Sequence, residues 1–120
     1  MLPVAEEAGV KLCLHPNDRP VEKKLGGVPM LFRDFENFKR AMGLDPYKNH
    51  GLDLCLGCWS QMDKSLEEVI RHFGDCDEIF YVHFHDVEGT GPRFNETHLD
   101  DGNYDSYEIL RLLNEVGFTG

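Results

Sequence analysis

Positive charge is scarce in this sequence of 120 residues: 12 Lys and Arg stand against 22 Asp and Glu, a formal net charge of −10. A nucleic-acid binder needs a basic footprint, so that class is excluded. The same deficit removes any attraction to anionic membranes, and an anionic substrate would have to be held by a local Arg or metal. Long apolar runs are missing too, since none reaches the roughly 18 residues of a transmembrane helix. The first residues, Met1-Leu2-Pro3-Val4-Ala5-Glu6-Glu7, lack the basic start and apolar core of a secretion signal. The four cysteines then read as free thiols in a cytoplasmic setting rather than as disulfides. Repeats, low-complexity tracts and linkers are absent. What remains, 41% hydrophobic and 28% charged residues, is ordinary for a folded domain with a small core.

Three short apolar runs each end in a residue able to bind a metal. Val10 to Leu14 ends in His15 and Pro16, Gly51 to Leu56 contains Cys55, and Ile79 to Phe84 contains His83. Runs with little polar alternation suit strands covered on both faces, as in a parallel sheet. Helices are predicted between them. Pro3 to Ala8 stops at Gly9. Phe35 to Met42 is capped by Asp34 and stops at Gly43. Leu66 to Phe73 opens with the capping box Ser65/Glu68 and stops at Gly74. Tyr107 to Val116 is capped by Asp105 or Ser106. Asp45 to His50 leads back to the second strand, while His15 to Pro29 and His85 to Asn103 read as long loops. Gly117 to Gly120 reads as the start of a further strand.

This order gives an α/β class of parallel βα units with right-handed crossovers. Residues 1–120 are expected to form one incomplete domain of about three βα units. A barrel of eight such units takes about 250 residues, so the expectation is a piece of a larger TIM (β/α)8 barrel.

Parallel strands place their C-terminal ends on one rim, so His15, Cys55 and His83 can converge on a divalent metal. Set against this, a lone histidine at a strand end is more often a hydrogen-bonded rim residue, and a cysteine in an apolar run a small buried hydrophobe. Cys55 and Cys58 also form a C-x-x-C, which with His83 and His85 offers a non-enzymatic zinc module. A redox motif is disfavoured because the segment from Trp59 to Lys64 separates the cysteines from the predicted helix. Arg93, in the second long loop, is either an anion clamp or a solvated arginine. Asp18 reads as a turn residue or an orienter of His15, and Asp100, Asp101 and Asp105 as turn and cap residues or a further metal ligand. No chemical role is assigned to Cys13 or Cys76.

Several segments, in order along nearly the whole chain, resemble the mannonate dehydratase family. They are Val4 to Leu12 leading to Leu14-His15-Pro16-Asn17-Asp18; Leu25-Gly26-Gly27-Val28-Pro29; Gly51-Leu52-Asp53-Leu54-Cys55-Leu56-Gly57-Cys58-Trp59-Ser60; Phe80-Tyr81-Val82-His83-Phe84; Pro92-Arg93-Phe94-Asn95-Glu96-Thr97; and Asp101-Gly102-Asn103-Tyr104-Asp105. The resemblance implies a xylose-isomerase-like barrel and a lyase of glucuronate and hexuronate catabolism. That enzyme dehydrates D-mannonate to 2-dehydro-3-deoxy-D-gluconate with Mn2+ or Fe2+. It implies His15, Cys55 and His83 as metal ligands, Arg93 as a substrate contact, and a homo-oligomer for the full-length enzyme. The family's fourth ligand is an Asp beyond a Val-Gly-Phe-x-Gly segment. That segment is Val116 to Gly120 here, so the Asp has no counterpart, and the chain alone is expected to be inactive. His85 stands where the family often has Arg, and Asn17 where it often has Asp. No residue is assigned as general acid or base. The alternatives are another sugar isomerase or epimerase on the same barrel, and the zinc module.

Overall fold

The computed structural model describes residues 1–44, 48–62 and 64–120. The start of the connection predicted from Asp45 falls at 45–47, outside the described residues. The elements alternate as expected. Helix α1 (Leu2–Ala8) leads to strand β1 (Leu12–Leu14), α2 (Phe35–Met42) to β2 (His50–Cys55), and α3 (Leu56–Trp59) and α4 (Leu66–Asp75) to β3 (Ile79–His83). A pair of strands, β4 (Asp86–Thr90) and β5 (Arg93–Thr97), precedes α5 (Ser106–Glu115).

Strands β1, β2 and β3 form one parallel sheet in that order. Its register sets Leu14 beside Leu52 and Cys55 beside His83. Because side chains alternate across a strand, Leu52 and Leu54 enter the core while Asp53 and Cys55 share the opposite face.

Helix boundaries follow from their caps. Asp34 Oδ1 accepts from Asn37 N at 2.9 Å, and Phe35, Phe38 and Met42 form the buried stripe of α2. Ser65 and Glu68 make the predicted capping box, and α4 buries Leu66, Val69, Ile70 and Phe73. At α5 the cap is Asp105, which accepts from Glu108 N at 3.1 Å. The core's centre is Trp59, fully buried with its ring centroid 4.7 Å from that of Phe38 and 6.0 Å from that of Phe73. Removing such a ring costs about 3–5 kcal/mol, so the Cys55–Trp59 turn is fixed to the body of the fold.

Three expectations are corrected. The segment His85 to Asn103 is not a plain loop: β4 and β5 pair antiparallel across a two-residue turn at Gly91-Pro92, with Val87 opposite Glu96. The residues from Gly117 do not begin a strand among the described residues. Gly117, at φ 79°, and Phe118 instead donate their N–H groups to Asn114 O and Leu113 O, the two bonds of a glycine-terminated helix stop. Finally, the turn after β2 is helical at once, with Cys55 as the N-cap of α3, so the C-x-x-C does open a helix, though one of four residues.

Candidate metal centre

The ligand atoms of His15, Cys55 and His83 lie within 4.8 Å of one another. Each is delivered by a strand end: His15 follows β1, and Cys55 and His83 close β2 and β3 as register partners. The His15 and His83 rings are 5.3 Å apart between centroids.

One of the two imidazoles is held through its second nitrogen. His15 Nδ1 donates to Pro16 O at 2.7 Å, which leaves Nε2 as the ligand atom. His15 is therefore oriented by the backbone of Pro16, not by Asp18, which is exposed. His83 Nδ1 lies 3.4 Å from Asp53 Oδ1, a buried oxygen with no hydrogen-bond partner among the described residues. The carboxylate is within ion-pair reach of the ring without a hydrogen bond to it. Asp53 was not singled out in the sequence, although its place two residues before Cys55 puts it on the ligand face of β2.

Cys55 is buried at 4% exposure. Its thiol is held far below the usual range, at about 4, by hydrogen bonding from the Cys58 thiol, with the Cys58 backbone N–H and His85 adding to it against the opposing effect of burial. The Cys58 thiol is pushed up by its bond to Cys55 and by burial. Burial works against charge on His15, yet its bonds to Pro16 and Cys55 outweigh it and raise the imidazole above 6.5. The cluster thus presents one thiolate and two imidazoles, donors suited to first-row divalent metals.

The zinc set of Cys55, Cys58, His83 and His85 divides. His83 turns to His15 and Asp53, while His85, beyond the end of β3, places Nδ1 3.4 Å from Cys55 Sγ and pairs through Nε2 with Glu96. Gly57 makes this approach feasible, because a Cβ there would lie 2.4 Å from His85 Nδ1.

Arg93 is not brought into the cluster. It is exposed at the start of β5, opposite Thr90. Its hairpin does border the site, through Glu96 on His85 and through a groove lined by Asp18, Arg19, Pro92, Phe94, Asn95 and Glu96. The acidic residues after the hairpin serve the turn. Asp100 accepts from Ser106 N at 3.0 Å, and Asp105 caps α5. The residue that organises this region is Asp86, 1% exposed, whose carboxylate accepts from the N–H groups of Val87, Gly102 and Asn103.

Residues 1–120 match the sequence profile of D-mannonate dehydratase (UxuA). Mannonate dehydratase 2 of Halalkalibacterium halodurans is 35% identical over 124 residues, covering 100% of this chain and 35% of its own length. A mannonate dehydratase of Thermotoga neapolitana is 30% identical, over 100% of this chain and 34% of its own. The crystal structure of mannonate dehydratase from Streptococcus suis serotype2 superposes with a TM-score of 0.86 at 28% identity, covering 99% of this chain and 34% of that one. The chain thus spans about a third of the length of the relatives it matches, and its three parallel βα units are part of a TIM-barrel α/β fold. With the match running from the first residue to the last, the chain belongs to the D-mannonate dehydratase (UxuA) family.

Proposed function

We propose that this chain carries the metal-binding side of the active centre of a mannonate dehydratase, a hydro-lyase that takes D-mannonate to 2-dehydro-3-deoxy-D-gluconate and water in hexuronate breakdown. The observation that carries this reading is the convergence of His15, Cys55 and His83 at the C-terminal ends of three adjacent parallel strands. The donors, two imidazoles and a thiolate with the buried Asp53 oxygen near one imidazole, fit a first-row divalent metal, and the family resemblance makes it Mn2+ or Fe2+. When bound, such a metal supplies Lewis-acid polarisation of a substrate carboxylate and its adjacent hydroxyl.

The chain's own residues do the rest of what we assign. His15 presents Nε2 because Pro16 O holds its other nitrogen. Asp53 stands behind His83, with Oδ1 3.4 Å from Nδ1. Cys55, already a thiolate, offers its charge without first losing a proton. Arg93 is the residue we assign to the anionic end of the sugar acid, supported by its place on the hairpin that borders the cluster. Elimination needs a base at the carbon next to the carboxylate and an acid at the departing hydroxyl; neither role is assigned to a residue of this chain. A reducing cytoplasm suits four free thiols.

The test is conversion of D-mannonate by the complete gene product with Mn2+ or Fe2+, read as appearance of the 2-keto-3-deoxy acid; the 120-residue chain alone is expected to give none. Loss of conversion in His15→Ala and Cys55→Ala supports the reading. Conversion of a sugar without release of water would make the protein an isomerase or epimerase instead.

A further inference from the structure

Cys55 also belongs to a second cluster, with Cys58 and His85, whose ligand atoms again lie within 4.8 Å of one another. Cys55 and Cys58 stand at the two ends of one turn, and Trp59 roots that turn in the core. Two sulfurs in C-x-x-C spacing on a fixed turn are the half-site with which structural zinc sites grip their metal. His85 completes it from the other side: Nδ1 is 3.4 Å from Cys55 Sγ, and Nε2 pairs with Glu96. A carboxylate that takes the N–H of one ring nitrogen frees the other as a ligand and aims it. Space is reserved for the ring, since a Cβ at Gly57 would meet His85 Nδ1 at 2.4 Å. The sulfurs are shielded from water, with Cys58 at 0% exposure and Cys55 at 4%.

We propose that Cys55, Cys58 and His85 form a second metal site, for a thiophilic divalent cation such as Zn2+ or Cd2+, with Glu96 positioning His85. The two sites share one sulfur. A metal held by Cys55, Cys58 and His85 draws Cys55 away from His15 and His83. Zinc then competes with manganese by taking the shared ligand. The order of affinities for sulfur-rich sites favours the softer ion in this position. Binding there also releases the Cys58 proton, so uptake is accompanied by acidification.

The experiment is a Cd2+ titration of the full chain, read by the ultraviolet cadmium–thiolate absorption, which scales with the number of sulfurs bound. Two sulfurs are expected per Cd2+. Cys58→Ser should halve the band at saturation, and His15→Ala should leave it unchanged. Glu96→Gln should leave its size unchanged and weaken affinity roughly 10–100-fold. A one-sulfur band in the unaltered chain, no band, or a band insensitive to Cys58→Ser would overturn the proposal. Glu96 is exposed, so its variant keeps the test decisive should Cys58→Ser fail to fold: an unchanged affinity there also overturns it. The outcome is separate from the dehydratase reading, because His15→Ala disables that reading's ligand set and leaves this one whole.

Discussion

His83 Nδ1 lies 3.4 Å from Asp53 Oδ1, and Asp53 stands two residues before Cys55, the register partner of His83. One carboxylate on β2 therefore lies beside the histidine that faces the thiolate two residues further along the same strand. Asp53→Asn removes the charge and keeps the shape. Metal affinity should fall roughly 10–100-fold with the thermal midpoint nearly unchanged. A metal titration beside a melting curve separates the two effects.

Gly57 and His85 compete for the same space. Gly57→Ala places a methyl 2.4 Å from His85 Nδ1, so the imidazole must leave Cys55. Overpacking of this kind costs about 1–3 kcal/mol, to be read from urea unfolding. The double variant Gly57→Ala/His85→Ala should recover most of that loss, because the clash is with the ring.

Thiol ionisation should separate the cysteines by pH. Cys55 is depressed from 9.0 to about 4, first through Cys58, whereas Cys13 and Cys76 are raised above 9.0, first by burial. The ultraviolet thiolate absorption lost in Cys55→Ser should stay level as pH falls from 9.0 and decline only near 4. That of Cys13 and Cys76 should decline across the whole range. A Cys55 profile parallel to that of Cys76 would contradict the assignment.

His85 gives the opposite sign in stability. Its pKa is raised above 6.5: burial opposes the charge, but bonds to Cys55 and Glu96 outweigh it. Its contribution is full below 6.5 and fades as pH rises through the folded value. The stability difference between the chain and His85→Gln should therefore shrink as pH increases from 6.5, which denaturation at several pH values will show.

Asp86 is a buried carboxylate that accepts three backbone N–H groups, including those of Gly102 and Asn103. Asp86→Asn turns an NH2 group toward one of those donors. About 1–3 kcal/mol is expected for the mismatch. Hydrogen exchange at Gly102 and Asn103 should rise before that of α5.

Caps and periodicity made most of the architecture legible. Asp34, Ser65/Glu68 and Asp105 open helices as predicted, and the three strand ends bring His15, Cys55 and His83 together. The hairpin was not legible because Asp86, Gly89, Asn95 and Glu96 are weak strand formers. Its one sequence signal was Gly91-Pro92 between two alternating segments, Val87-Glu88-Gly89 and Phe94-Asn95-Glu96. Asp53 and the pairing of His85 with Cys55 depend on register and on space at Gly57, and neither is a property of a local window. Arg93 was read from its loop as an anion clamp or a solvated arginine and from the resemblance as a substrate contact, and the hairpin leaves it exposed outside the ligand cluster.

The central claim is that His15, Cys55 and His83 hold one metal ion. Its most direct test is Mn2+ uptake by the full chain, read as loss of the free-ion electron paramagnetic resonance signal. One Mn2+ per chain is expected at saturation, abolished by His15→Ala, Cys55→Ala or His83→Ala. Uptake that survives His15→Ala and His83→Ala would contradict it.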